Sequence, residues 1–562
     1  MNLSATQIQA IVDATKTPTP EQVRVVEAPR RPLLVVAGAG SGKTETMSMR
    51  VLWLLANHPD LTPASILGLT FTRKAAGELG DRLRERIRLL SREMPQMRER
   101  LDEDPVALTY NSFAERIVSE HGMRIGIDPD FSMLSEAGAL DLMTQIIEAW
   151  PTDLDEELRP IDAVPQVLHL AGELAEHGFT VERAREALEE LGRELSQVGD
   201  TNAEARNLLR ANRRRLAFLG PIATYQQRKR EMGVLDFSDQ LVLATRIVRE
   251  APAVRAALRE EFRAVLLDEF QDTSVIQMEL LSTLFGDHAV TAVGDPNQAI
   301  YGWRGASASS LETFLDRFHS GAPEAGQTLT LSTAWRNDVS ILDAANRVAA
   351  PLREVASYQQ GKDALKAQSP VLVPRKGAGQ GTVEIAYTQV YEDALAATVD
   401  FVKRVRSQAT KDGKRRTVAV LSRRRKDFPF IDAALREAGI PTEIVGLGGL
   451  LDQPAVQDVR AALELAYDVA ASPWLARLLA GIDLGATDLI ALGDRARALA
   501  REEGASPHQA VLLDAVDNPP NPGWAVEGRP AISEEAVRRV RLLGERLRAV
   551  REGVGRSITE QV

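Results

Sequence analysis

The run PLLVVAGAGSGKT, residues 32–44, constrains the fold more than any other stretch of this 562-residue chain. It reads as an apolar strand, a glycine-rich turn and the start of a helix. A strand with no polar face is buried on both sides, which calls for parallel neighbours and helices covering both faces of the sheet. Four further stretches fit that frame. SILGLTFT (65–72) is a second strand, followed by the charge-rich helix RKAAGELGDRLRERIRLL. VALTYNSFAERIV (106–118) is a strand and then a helix, with Asn111 and Ser112 as cap candidates. The pattern resumes at FRAVLLDEFQD (262–272) and HAVTAVGDPNQ (288–298). Alternating strands and helices predict an α/β fold built on a parallel sheet.

Between about 113 and 232 the pattern is helical only, which predicts a helical insertion into that domain. A second α/β block is expected from 328, with TLTLSTAWRN, GTVEIAYT (381–388), a long helix and RTVAVLSRRR (416–425). From about 451 the chain again reads as helices, interrupted by the loop DNPPNPGWAVEGRP (517–530). The expected layout is therefore a first lobe at 1–112 and 233–327, an insertion at 113–232, a second lobe at 328–450 and a second helical insertion at 451–562.

There is no cysteine. That excludes disulfides and thiolate metal sites, and a reducing compartment, the cytoplasm, is the natural reading. No apolar run is long enough to span a membrane. The formal net charge of −11 argues against a polyanion-binding surface over the whole molecule but leaves room for a local basic groove.

Two motifs carry chemistry. In AGAGSGKT (37–44) the backbone N–H groups of Ala39, Gly40, Ser41 and Gly42 can curl round a phosphate at a helix N-terminus. Lys43 would reach the β- and γ-phosphates of a nucleotide, and the Thr44 hydroxyl would sit on Mg²⁺. Ala37 stands where the generic pattern has Gly; the bland reading is a glycine-rich turn without nucleotide. In LLDEFQD (266–272), Asp268 fits a metal-holding carboxylate and Glu269 a base that orients the attacking water. The rival there is a solvated acidic loop. With two halves of a nucleotide site in view, TAVGDPNQAIYGWRGA (291–306) can link it to a nucleic acid. Gln298 would stand at the γ-phosphate, Tyr301 and Trp303 would offer flat faces to bases, and Arg304 would pair with phosphate or with the acidic cluster. The rival is that both rings are core aromatics.

These motifs, in this order, resemble those of superfamily 1 DNA helicases of the UvrD/PcrA/Rep type. PTPEQ (18–22) resembles the adenine-reading motif, giving Gln22 that role. LTFTRKAAGEL (69–79) resembles motif Ia, implying single-strand contacts at Phe71, Thr72 and Arg73. LTYNSFAERIV resembles the TxHS-type motif, with Asn111 where His is commoner, and GVLDFSDQL (233–241) the segment before motif II. LSTAWRN (331–337) resembles motif IV, making Arg336 an arginine finger and Trp335 an adenine neighbour. GLGGLLDQPAVQDVRAALEL (446–465), and Glu45 where many such proteins place an Arg on the base, look more like the actinobacterial AdnB branch.

The resemblance implies RecA-like P-loop NTPase lobes with two inserted helical subdomains and ATP with Mg²⁺ as cofactors. It also implies 3′→5′ polarity and action in DNA repair or recombination at double-strand breaks. The partners implied are single-stranded DNA, duplex DNA ends and a second, AdnA-like helicase–nuclease subunit. No counterparts of motifs V and VI or of a RecB-like nuclease are found, so the expectation is an N-terminal portion or a truncated product. The competing expectation is a non-enzymatic subunit that binds ATP and DNA. A small-molecule kinase has no use for Trp303 or the helical insertions. Arg213–Arg215, Arg228–Arg230 and Arg423–Lys426 could line a DNA path or be solvated helix faces.

Overall fold

A computed structural model describes residues 3–128, 131–152, 154, 158–198, 203–302, 310–319, 326–358, 368–408, 413, 415–445, 454–468, 471–502, 504 and 510–554. Trp303 and Arg304 lie outside the described residues, as does the GLGGLL stretch. The chain divides into two compact units, Met1–Glu384 and Ile385–Val562.

In the first unit, helices α1 (Ala5–Asp13) and α2 (Pro20–Val26) precede strand β1 (Leu33–Ala37). Then follow α3 (Lys43–Asn57), β2 (Ile66–Thr70), α4 (Arg73–Glu93), β3 (Val106–Thr109) and α5 (Tyr110–His121). A short strand β4 (Ser132–Met133) leads into four helices, α6 (Glu136–Glu148), α7 (Pro160–Glu176), α8 (Val181–Val198) and α9 (Ala203–Met232), and β5 (Val234–Leu235) leads out. The sheet resumes through α10 (Phe237–Glu250), α11 (Pro252–Glu261), β6 (Ala264–Leu267), α12 (Val275–Phe285), β7 (Val290–Gly294), α13 (Phe314–Arg317) and β8 (Gln327–Leu331). Last come β9 (Thr333–Ala334), α14 (Val339–Tyr358) and β10 (Val373–Pro374).

The main sheet has six strands in the order β3-β2-β6-β7-β1-β8, and every pairing is parallel. β1 alternates as its sequence demands. Leu34 and Val36 enter the core on one face, with Phe113, Phe262 and Phe270. Leu33, Val35 and Ala37 enter the core on the other, with Met47, Leu52 and Ile87. This double burial is why the strand reads as a continuous apolar run. The expectation of an α/β fold with a parallel sheet holds.

The boundaries differ in two places. The expected second lobe was to open at 328, but β8 is hydrogen-bonded to β1 from Leu33↔Gln327 to Ala37↔Leu331. The expected insertion was to begin at 113, but Phe113, Ala114, Ile117 and Val118 of α5 are buried in the sheet's own core. The helical layer of α6–α9 has a separate core built on Met143, Val167, Leu219 and Ile222. Its neck is closed by β4 pairing with β5, Ser132↔Val234. The α5 cap is Thr109, whose hydroxyl accepts from Ser112 N at 3.0 Å, rather than Asn111 or Ser112.

The second unit contains α15 (Tyr391–Ser407), α16 (Phe428–Glu437), α17 (Pro454–Tyr467), α18 (Ser472–Gly481), α19 (Ala486–Glu502), α20 (Leu512–Asp517) and α21 (Glu534–Glu552). The last five share an apolar core that includes Leu465, Leu479, Leu492, Leu513 and Val540. The strands expected at 381–388 and 416–425 do not form. Ile385 is 91%, Tyr387 97% and Leu421 93% exposed, so these runs meet no partner ladder among the described residues. Apolar alternation supplies strand propensity, but a strand needs a neighbour to satisfy its backbone. Among the described residues no helix is long and apolar enough to cross a membrane.

Candidate functional site: a nucleotide pole and an adjoining groove

The turn after β1 is held open by backbone geometry. Gly40 and Gly42 have φ of 73° and 80°, a conformation that side chains disfavour. A Cβ at Gly38 would lie 2.2 Å from Leu372 Cδ2, so a larger residue there requires the Leu372 side chain to move. Gly42 is the N-cap of α3 and offers no side-chain cap, which leaves the first N–H groups of the helix available to an anion. The Ser41 hydroxyl is buried without a partner.

Lys43 opens α3 and its Nζ donates to Glu269 Oε2 at 2.9 Å, across 226 residues of sequence. The two motifs expected to form one site are therefore in contact. Glu269 is a non-glycine residue in the left-handed region, φ 48° and ψ 42°. Such strain persists where surrounding structure enforces it, and it aims this carboxylate back at the turn. Burial, reinforced by the neighbouring Glu269 charge, pushes the Asp268 carboxyl up to about 6. The same two causes, in the same order, push Asp272 up to about 6. A cation brought to this corner would relieve both. The Thr44 hydroxyl and the Asp268 carboxylate are hard oxygen donors of the kind Mg²⁺ takes, usually alongside substrate phosphates. No group of three or more His, Asp or Glu that could hold a metal by itself exists among the described residues.

Gln271 is a residue the motif reading passed over. Its Nε2 donates to Glu269 Oε2 at 2.9 Å and its Oε1 accepts from Asp295 N at 3.0 Å. It thus ties the strand end of β6 to the loop after β7. Its signal was present in DEFQD, as an amide two residues after the acidic pair. Gln298 does not point into open solvent: its Nε2 donates to Asp295 Oδ2 at 2.6 Å. Asp295 also accepts from Ser369 Oγ.

The other end of the turn meets α2 and the segment after β8. Gln22 closes a capping box with Thr19, accepting from Thr19 N at 2.9 Å, and its Nε2 donates to Thr46 Oγ1 at 3.3 Å. Trp335 N donates to Gly40 O at 2.8 Å, and Trp335 is 41% exposed. Arg336 is exposed, and a Cβ at Gly40 would lie 3.1 Å from Arg336 Cβ. Glu21 holds this segment by accepting from Ser332 N and Oγ at 2.9 and 2.7 Å.

Beyond the C-terminal ends of β2 and β3 lies a groove of 730 Å³, lined by Phe71, Arg73, Asn111, His169, Phe237 and Asp272 among others. Phe71 and Tyr301 form a tilted ring pair, 4.9 Å between centroids, so the expected aromatic contacts meet. Thr72 uses its hydroxyl to cap α4, accepting from Ala75 N at 3.1 Å. Asn111 Oδ1 accepts from Gln277 Nε2 at 3.3 Å. Phe237, 58% exposed at this groove, was missed. An aromatic opening a helix between two aspartates was the available signal. Of the basic clusters, Lys229 is buried against Asp236 and Asp239 at 2.5 and 2.6 Å, and Arg424 pairs with Asp427.

The fold and the glycine turn define a P-loop protein with a RecA-like parallel sheet. The chain belongs to the UvrD/REP helicase family, whose N-terminal domain matches residues 18–319. It is 28% identical over 448 residues to DNA helicase II of Escherichia coli, covering 79% of this chain and 54% of that protein. It is 28% identical over 329 residues to the ATP-dependent DNA helicase PcrA of Leuconostoc citreum, 58% of this chain and 38% of that one. It is 26% identical over 454 residues to PcrA of Staphylococcus aureus, 79% and 53% respectively. The chain thus spans about half the length of the relatives it matches along most of its own.

Proposed function

We propose that this chain is the ATP- and DNA-binding part of a DNA translocase or helicase of the UvrD/REP family. The observation that carries the reading is the Lys43–Glu269 contact, which joins the phosphate-binding turn to the acidic strand end beside an aromatic groove. In this reading Ala39, Gly40, Ser41 and Gly42 cradle the phosphates through their backbone, and Lys43 carries charge to them. Thr44 and Asp268 hold Mg²⁺, which would neutralise phosphate charge. Glu269 orients the attacking water, Gln298 senses the γ-phosphate, and Arg336 stabilises charge on it. Gln22 and Trp335 flank the base. Single-stranded DNA lies along Phe71, Thr72, Arg73, Asn111 and Tyr301, continued by Trp303 and Arg304.

The finer reading is an AdnB-like branch with 3′→5′ movement, acting on duplex ends in double-strand break repair or recombination in the cytoplasm, beside an AdnA-like subunit. The expected second lobe (328–450) and helical insertion (451–562) would belong to the same motor. The alternative, a non-enzymatic ATP- and DNA-binding subunit, is favoured by the apolar runs at 381–388 and 416–425, which join no strand ladder among the described residues.

ATP hydrolysis by the 562-residue chain, with and without single-stranded DNA, separates the two. Stimulation by DNA that disappears in Lys43→Ala supports the motor. Binding of ATP and DNA without turnover supports the subunit, and no ATP binding at all overturns both.

A further inference from the structure

Glu45, in the first turn of α3, stands beside the residues expected at the base. A Cβ at Gly42 would lie 3.3 Å from Gln22 Nε2, 3.7 Å from Trp335 Cδ1 and 3.8 Å from Glu45 Cβ. Three side chains from three segments therefore converge on one point at the helix start. Glu45 does not face this corner alone. Its carboxylate accepts from Arg86 Nη2, which reaches it from the middle of α4. The Arg86 side chain is only 12% exposed, against 30% for Glu45. Its other terminal nitrogen, Nη1, is buried without an acceptor.

A guanidinium that is nearly buried, anchored at one nitrogen and unpaired at the other has an unmet donor. The neighbouring Gln22 amide is committed to Thr19 and Thr46. A nucleobase entering between Gln22 and Trp335 brings ring-nitrogen and carbonyl acceptors that match such a donor. The planar fork of an arginine suits such an edge, or the flat face of the base, better than a lysine does.

We infer that Arg86, oriented by Glu45, is a specificity-determining residue for the nucleotide, donating from Nη1 to an acceptor on the purine. Glu45 acts through Arg86 and is a positioning residue. The inference rests on the nucleotide-site reading above and adds to it a contact from α4, a helix that the P-loop motif does not include.

The test is titration calorimetry on the 562-residue chain with two probes, Mg·ATP and inorganic tripolyphosphate, which has phosphates but no base. Arg86→Ala is expected to weaken ATP by about tenfold while leaving tripolyphosphate within about twofold, because only the base contact is lost. Arg86→Lys keeps the charge and the Glu45 pair but lacks Nη1, so it should be as weak as Arg86→Ala; it also serves if the alanine variant fails to fold. Glu45→Gln should weaken ATP by about threefold, again without effect on tripolyphosphate. ATP affinity within about twofold of wild type in Arg86→Lys, or equal loss for both probes in any variant, overturns the proposal. If the wild type binds tripolyphosphate but not ATP, the base pocket itself is refuted. If it binds neither, the nucleotide reading fails first.

Discussion

The nucleotide pole and the neighbouring groove are built on the same sheet edge, and what separates them is the aromatic ring pair that the groove presents. At the pole, nearly every polar group is locked to another: Lys43 to Glu269, Gln271 to Glu269 and Asp295, Gln298 to Asp295, Gln22 to Thr46. The groove has polar locks of its own, such as Gln277 to Asn111 and Thr109 to Ser112, but adds rings, Phe71 against Tyr301 and the exposed Phe237. A phosphate is recognised by charge and fixed N–H directions, which demand preorganisation. A single strand read without regard to sequence is held by stacking, which tolerates variation. The two regions meet at the loop after β7, where Asp295 is tied to the pole and Tyr301 to the groove.

That contrast breaks most sharply at Lys43. Lys43→Ala should reduce ATP turnover roughly 10²–10³-fold while leaving single-stranded DNA binding nearly intact, checked by steady-state hydrolysis and fluorescence anisotropy. Comparable loss of DNA binding would mean the two regions are not separable.

Asp268 gives the next effect, on stability. Its pKa in the fold, about 6, is raised above the ordinary aspartate value by burial first and Glu269 second. A raised carboxyl favours the native state while protonated, so that stability is present at low pH and is lost as pH rises through about 6. Asp268→Asn removes the penalty. The variant should be more stable than wild type at pH 7.5, by up to about 3 kcal/mol, with the gap closing by pH 4. Urea melts at both pH values check this, and an unchanged gap would show that the carboxyl is not strained. The same titration predicts that Mg·ATP affinity of the wild type falls as pH drops through 6.

The groove should respond in the complementary way. Phe237→Ala and Tyr301→Ala should each weaken single-stranded DNA by about 1–3 kcal/mol with ATP affinity unchanged. Anisotropy at fixed salt reads the effect, and no change at Phe237 would remove it from the DNA path. The smallest effect is at the groove's wall: Thr109→Ala, removing the cap of α5, should cost about 1 kcal/mol of stability in a urea melt.

Much of the pole was legible because its chemistry is local. Glycines at Gly40 and Gly42, a lysine and a threonine have to be adjacent for a turn to do this work, so they are adjacent in sequence. Asp268 and Glu269 were legible because an apolar strand ends on them. Gln271 was passed over although DEFQD carried its amide, because its bond to Asp295 forms only in the fold, and Arg86 because its partner Glu45 lies 41 residues away. The strands at 381–388 and 416–425 were misread for a related reason: propensity is local, but pairing is not. The β8 boundary failed likewise, because nothing in TLTLSTAWRN says which sheet the strand will join.

For the proposed motor to work, the pole and the groove have to be linked through Gln271, Asp295 and Tyr301. The direct measurement is single-stranded DNA affinity of the 562-residue chain with and without a non-hydrolysable ATP analogue, in the wild type and in Gln271→Ala. Linkage predicts that the analogue shifts DNA affinity at least about fivefold in the wild type, with DNA shifting analogue affinity by the same factor, and that Gln271→Ala abolishes the shift while both ligands still bind. Equal DNA affinity with and without the analogue in the wild type would contradict it.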